Sequence, residues 1–466
     1  MTQDSSSKSK SPANSAGLSF DDDNIFALAS GRLPCAVAIV RISGRSCLER
    51  LKSVIRLSAN RWLEYRQLHL CIIVDSESGT EIDKPLVSLF QGPKSFTGED
   101  AAEIHIHGSP IIWTKLAASL RKVGFRDALP GEFSRRAFLN EKFDLAQAEG
   151  LHLLIQSETE TQFRCAQSLL GGSLSKLAIT LRQQLIEALA IIELKIDFPD
   201  EEESVHQNMQ AAFDKVVQVQ DTLQNLSSTY RAGTIAQDGF KVALIGPPNA
   251  GKSTLLNKLL GHERSIVSDI PGTTRDYIQE SVILNGRLIR LIDTAGIRSA
   301  SDQIEQQGII RSLEVTDNAD LVIVLVAAND SMDKSTKDLL DRAPHDRRLL
   351  VRTKCDLTDK AKGDLQLSAL TGDGIANLIE VICEKFDKQT AGISEQAFIS
   401  SERQASAIAD AVRFLDHFSR EYSNHAFAEI LGFEVQNAIR SVESIVGRVD
   451  ADDVLGQIFS QFCIGK

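Results

Sequence analysis

Residues 246–253 read Gly-Pro-Pro-Asn-Ala-Gly-Lys-Ser. They directly follow the apolar run 242–245 and directly precede a stretch, 254–260, with helical character. This is the phosphate-binding spacing G-x-x-x-x-G-K-[ST] between a strand and a helix. Gly246 and Gly251 let the backbone wrap closely around a polyphosphate. The N–H groups of the loop (Asn249, Ala250) and of the helix start (Thr254) then point at its anionic oxygens. Lys252 adds a mobile positive charge, and Ser253 offers a hydroxyl to Mg²⁺. The stretch therefore implies an α/β nucleotide domain.

The following residues extend that reading to a guanine-nucleotide switch. Pro271-Gly272-Thr273-Thr274-Arg275-Asp276 places a threonine after the first helix, where its hydroxyl can join a Mg²⁺ shell only while triphosphate is bound. Thr274 is the expected ligand, with Thr273 beside it. Residues 281–284, the turn Asn285-Gly286 and residues 288–292 predict a hairpin. Its second strand ends in Asp293-Thr294-Ala295-Gly296, where Asp293 can hold Mg²⁺ through water and the Gly296 N–H can meet the γ-phosphate. Residues 321–326 and 349–352 read as buried parallel strands. The second leads into Thr353-Lys354-Cys355-Asp356, which resembles the guanine-reading motif NKxD with Thr in first place. Asp356 would accept from guanine N1–H and the 2-amino group, Lys354 would lie over the base, and the Thr is expected to weaken specificity. Ser368-Ala369-Leu370 resembles the last base-contacting loop.

The chain has 466 residues, enough for about three domains. It is 42% hydrophobic and 24% charged, as globular proteins are. No apolar stretch has membrane-spanning length, so no membrane role is expected. Residues 1–18 are rich in Ser, Ala and Lys without an apolar core and read as a disordered tail. The net charge of −12 argues against broad nucleic-acid affinity but allows a local basic face. The run Arg45, Arg50, Lys52, Arg56, Arg61, Arg66 could contribute to one, or be a solvated helix surface. Seven cysteines without a C-x-x-C pair fit a reducing cytosol.

Strand-like runs at 36–42, 68–74 and 103–106 predict a small α+β domain at the N-terminus. Leu174, Leu177, Leu181, Leu185, Leu189 and Ile192 form one helical stripe, which should stop near Phe198-Pro199. A second helix is expected over 209–226. Ile408, Val412, Leu415 and Phe418 fall on one face of a later helix, whose simplest partner is the earlier helical segment. The nucleotide domain would then be an insertion in one helical domain. Glu103, His105 and His107 alternate on one strand face and could together bind a metal, although no further ligand supports it.

Several motifs together resemble one family. They are Ser95-Phe96-Thr97-Gly98-Glu99-Asp100, Pro130-Gly131-Glu132-Phe133-Ser134, Ala137-Phe138-Leu139-Asn140, Asp144-Leu145-Ala146-Gln147-Ala148-Glu149, Ile196-Asp197-Phe198-Pro199-Asp200-Glu201-Glu202 and the terminal Phe462-Cys463-Ile464-Gly465-Lys466. Over about 22–466 the chain is similar to the MnmE (TrmE) family of tRNA uridine-5-carboxymethylaminomethyl modification GTPases. The resemblance implies a multidomain protein. Its parts would be an α+β N-terminal folate-binding and dimerisation domain (19–140), a discontinuous all-α helical domain (141–236 and 387–466) and an inserted α/β Ras-like P-loop GTPase domain (237–386). It implies a cytoplasmic homodimer that, with the FAD-dependent partner MnmG in a heterotetramer, modifies C5 of the wobble uridine of certain tRNAs.

Site residues follow from the same resemblance. Arg41, Glu103, Lys142 and Lys466 would contact a tetrahydrofolate (5-formyltetrahydrofolate) as one-carbon source, and Cys463 would be catalytic or redox-active. The nucleotide would also be lined by Ser268, Asp269, Ile270, Pro271 and Gly272. A Ras-like switch has Gln just after its DxxG motif to orient water. Here Ile297 stands there, and the family reading gives the role to Glu305. No arginine finger is evident, and K⁺ held by Asn249, Ser268, Ile270 and Thr273 would supply fixed positive charge instead. A GTPase switch in RNA or ribosome assembly would share the nucleotide motifs but needs neither the folate motifs nor the Cys463 tail. A pure interaction switch, with the helical domain as effector platform, is a second alternative.

Overall fold

The computed structural model describes residues 23–57, 63–198, 202–261, 279–293, 317–332, 334–357, 363–393, 396–447, 452–460, 462, 464 and 465. They divide into two compact units, one of Met1–Phe143 with Asp450–Lys466, the other of Asp144–Val449. The sequence reading had grouped the whole of 387–466 with the helices. The last segment instead packs in the first unit, because the terminal helix Asp452–Ser460 carries Phe459 against Phe138, with ring centroids 6.2 Å apart.

The first unit is built on a six-stranded sheet. From edge to edge its strands are His69–Leu70, Leu86–Phe90, Ala101–Gly108, Cys35–Ser43, Asn24–Leu28 and Phe125–Asp127. All neighbours are antiparallel except the last pair. Alternation sets its two faces. Ala38, Val40, Ile42, Ala102, Ile104 and Ile106 point into an apolar core with Leu116 and Leu120 of the helix Pro110–Lys122. Arg41 and Glu103 are direct cross-strand partners on the other face. The single strand expected over 68–74 is two. His69–Leu70 pairs with Leu86–Phe90 in this sheet, while Ile72–Val74 joins a separate three-stranded sheet with Ile55–Arg56 and Glu81–Asp83. The chain changes partners at Cys71, whose N–H bonds to the Pro85 carbonyl.

The basic run from Arg45 to Arg66 does not form one helix surface either. Among its described residues only Cys47–Leu51 is helical, and Arg50, Arg56 and Arg66 each donate to a different loop carbonyl, those of Val123, Gly79 and Lys94. Arg61 lies outside the described residues.

In the second unit, capping boxes start three helices: Asp144 with Gln147, Thr159 with Gln162, and Ser401 with Gln404. The helix Ser173–Asp197 ends one residue before the Phe198-Pro199 pair. It packs on the helices Glu202–Ser228 and Ala428–Ile445, and the helix Glu402–Ser423 packs on both of those. Leu181, Leu185, Ile192, Val219, Leu415 and Val435 share one core among them.

Residues 240–386 add a second six-stranded sheet. Its order is Gln279–Leu284, Arg287–Asp293, Phe240–Ile245, Leu321–Ala327, Arg348–Thr353, Leu365–Gln366. The edge hairpin is antiparallel and every other pair is parallel. Asn285 and Gly286 form its turn with φ of 47° and 78°. Leu321–Ala327 is buried along its whole length, as a central parallel strand must be. Phe240–Ile245 lies between strands that come later in sequence on both sides. The loop leaving its carboxyl end therefore opens at the topological switch point, where open α/β sheets bind ligands.

Candidate functional site

The loop at that switch point is shaped by three residues with positive φ, Gly246 at 151° among them, and by one close approach. Asn249 has φ 63° and Gly251 has φ 88°, just before the helix Lys252–Leu260. Gly246 passes the neighbouring strand so closely that a Cβ there would lie 2.2 Å from the Leu325 carbonyl oxygen. The Lys252 Nζ donates to the carbonyls of Gly246 and Pro247, both at 2.8 Å, so the ammonium is held at the loop. Ala250 is buried, while Asn249, Ser253 and Thr254 are exposed. Asp293 ends its strand opposite Leu244, which places its backbone beside the end of the strand that feeds the loop.

The base-reading residues stand at the same sheet edge. Thr353 ends the strand Arg348–Thr353, and Lys354 follows with φ 58°, a bend that starts the short turn Cys355–Leu357. Asp356 is exposed. The Cys355 N–H bonds to the Leu367 carbonyl, tying this turn to the loop that holds Ser368, Ala369 and Leu370. Ser368 is buried, and its N–H donates to the Asp373 carbonyl. Leu370 is 80% exposed, free to cover a ligand. The structure thus brings the phosphate loop and both base-contacting loops to one edge. Ser268, Asp269, Ile270, Pro271, Gly272, Thr273, Thr274, Thr294, Ala295, Gly296, Ile297 and Glu305 lie outside the described residues.

A second cluster occupies the first unit. Arg41 Nη2 and Nε donate to Glu103 Oε1 at 2.8 and 3.2 Å, and Arg41 Nη1 reaches the Gly465 carbonyl at 3.4 Å. The Arg41 guanidinium lies 5.1 Å from the Phe96 ring centroid and 5.9 Å from that of Phe133. These two aromatics were not singled out from sequence, though both sit in the quoted motifs. Lys142 is not in this group. Its Nζ donates to the Pro93 carbonyl at 2.9 Å, on the loop that also carries Phe96. Cys463 and Lys466 lie outside the described residues, but their neighbours Phe462 and Gly465 are buried, and the Phe462 ring packs 5.2 Å from Phe459.

Glu103, His105 and His107 do share one face. Glu103 is engaged by Arg41 and His107 by Asp83, whose Oδ1 is 2.7 Å from Nδ1. Among the described residues no group of three or more His, Cys, Asp or Glu is placed to hold a metal ion. Burial pushes the Cys71 and Cys165 thiols up to about 11, so neither supplies a thiolate at neutral pH.

Comparison with known proteins decides the family. A family model described as the N-terminus of the GTP-binding protein TrmE matches residues 24–142, and one for the MnmE helical domain matches 145–463. A tRNA modification GTPase MnmE from Akkermansia muciniphila is 38% identical over 92% of this chain and 96% of its own length. Its counterpart from Nitrosomonas eutropha is 38% identical over 96% and 100%. That from Rhodopseudomonas palustris is 39% identical over 96% and 99%. The chain belongs to the MnmE family of GTPases. The family match spans both the P-loop unit and the unit that holds Arg41, so the two clusters are parts of one MnmE-type protein. Among the described residues no helix is long and apolar enough to cross a membrane.

Proposed function

We propose that the chain is a potassium-activated GTPase of the cytoplasm that modifies C5 of the wobble uridine of certain tRNAs. It would act as a homodimer with an FAD-dependent MnmG-type partner, adding a carboxymethylaminomethyl group. The observation that carries this reading is the return of the chain's end to Arg41: Gly465, two residues after Cys463, meets the Arg41–Glu103 pair. A simple assembly switch has no use for such a junction. We read residues 237–386 as a GTPase domain inserted in the helical domain, and 19–140 as the dimerisation domain.

In the nucleotide site, Lys252 and the loop N–H groups bind and orient the phosphates, as the held ammonium favours. Ser253, Thr274 and Asp293 would hold Mg²⁺, which supplies charge neutralisation at the phosphates. Asn249 with Ser268, Ile270 and Thr273 would hold K⁺. Glu305 would orient the attacking water and take its proton, the role that Ile297 cannot fill.

The first unit suits a folate. A partly buried cation–carboxylate pair backed by two aromatic rings offers an acceptor for a pterin amide edge and a cation for a glutamate tail. Arg41, Glu103, Lys142 and Lys466 would hold the tetrahydrofolate, which supplies a one-carbon unit. The test is mass spectrometry of wobble uridines from cells lacking the gene. Loss of the carboxymethylaminomethyl mark, restored by the intact gene, is expected. Unchanged uridines would refute the proposal and favour the non-covalent switch.

A further inference from the structure

Thr353 stands where the NKxD motif has asparagine, and the structure shows what its hydroxyl does. Its side chain is buried, and Oγ1 lies 2.7 Å from the carbonyl oxygen of Ala250 in the phosphate loop. A carbonyl can only accept, so the hydroxyl donates. A threonine hydroxyl has a single proton. That proton is committed to the loop, and toward a bound base the side chain can present only lone pairs and a methyl group.

The Hoogsteen edge of guanine carries two acceptors, N7 and O6, and no donor. Lone pairs facing acceptors form no bond. An asparagine amide has two N–H donors and could serve the loop and N7 together. We infer that Thr353 is a positioning residue that ties the phosphate loop to the base-reading strand, and that this protein binds guanine nucleotides without reading N7. The inference rests on the guanine-nucleotide reading of the site. It also revises the expectation of weakened specificity. N7 is common to guanine and adenine, so its loss lowers affinity without blurring the choice between them. That choice stays with Asp356 at the opposite, Watson–Crick edge.

The test is competition of GDP and 7-deaza-GDP, which has C–H in place of N7, against a fluorescent guanine nucleotide on the full chain. The dissociation constants should agree within about threefold, well under the roughly fivefold or more of one lost hydrogen bond. A larger loss with 7-deaza-GDP would show that a donor reaches N7 and would overturn the inference. Thr353→Asn should tighten GDP over 7-deaza-GDP by about fivefold, and an unchanged ratio there would place residue 353 away from N7. Thr353→Val should weaken both nucleotides by the same factor, because only the loop tie is lost. A changed ratio in that variant would also count against the assignment. Failure of GDP itself to compete would instead refute the guanine-nucleotide reading, a distinct outcome.

Discussion

Asn249 is one of six non-glycine residues described with positive φ, and it sits at the tip of the phosphate loop with its side chain exposed. Holding a side chain in the left-handed region costs of order 1 kcal/mol, a cost that functional sites commonly retain. Asparagine bears that conformation better than most residues, and its amide oxygen is a cation ligand. In the proposed function Asn249 would be a ligand of potassium, the fixed positive charge at the phosphates. Steady-state GTP turnover should be about tenfold or more faster in KCl than in NaCl at matched ionic strength, since a preorganised charge at the transition state is worth at least that much. Equal rates in the two salts would remove Asn249 from this role.

At the level of elements, the short helix Glu132–Leu139 carries a buried ion-pair network of the first unit. Glu132 is buried and accepts from Arg126 at 2.8 and 2.7 Å, from Arg136 at 3.0 Å and from the Leu129 N–H at 2.8 Å. Burial pushes its carboxyl up, but Arg126, the Leu129 N–H and Arg136 together outweigh burial and hold it below the usual range. A depressed folded-state value means the stabilisation is complete above the unfolded value of 4.5 and is lost as pH falls through the folded one. Both tryptophans, Trp62 and Trp113, lie in the first 143 residues, so their fluorescence reports this unit alone. In urea melts followed this way, Glu132→Gln should cost about 3 kcal/mol at pH 7, because it removes the buried carboxylate that Arg126 and Arg136 share and leaves them only Asp23 and Glu99. The variant should also show less loss than the parent on going below pH 4.5. An identical acid response in both would assign the acid sensitivity to another group. The motif around Glu132 was legible in the sequence, but this network was not, since Arg126, Glu99 and Asp23 come to it from separate elements. The opposite holds for the nucleotide sheet. There the strand-loop-helix order and the Asn285-Gly286 turn are local signals, and the strands formed where the periodicity placed them. The strand expected over 68–74 broke in two because partner choice at Cys71 depends on Pro85, which periodicity cannot reveal.

On the scale of the whole molecule, the chain's end is the feature that sequence placed least well in the domain plan. Its membership in the first unit depends on packing between residues more than 300 positions apart, such as Phe138 with Phe459. Gly131 fixes the same junction: its φ is 66°, and a Cβ there would meet the Phe459 carbonyl oxygen at 2.2 Å. The buried residues Phe459 and Phe462 therefore lead the last residues toward Arg41, where Gly465 arrives. In sequence Cys463 lies between Phe462 and Gly465, while the P-loop belongs to the other unit. If Cys463 serves the modification chemistry, its loss should separate the two activities. Cys463→Ser keeps the size of the side chain but removes the thiolate's nucleophilicity and redox chemistry. Modified wobble uridine should disappear in cells carrying only this variant, while the purified protein hydrolyses GTP at close to the parental rate and its tryptophan-monitored urea melt stays unchanged. Normal uridine modification would make the cysteine a bystander. Loss of modification with a weakened melt would make it a packing residue of the terminal segment.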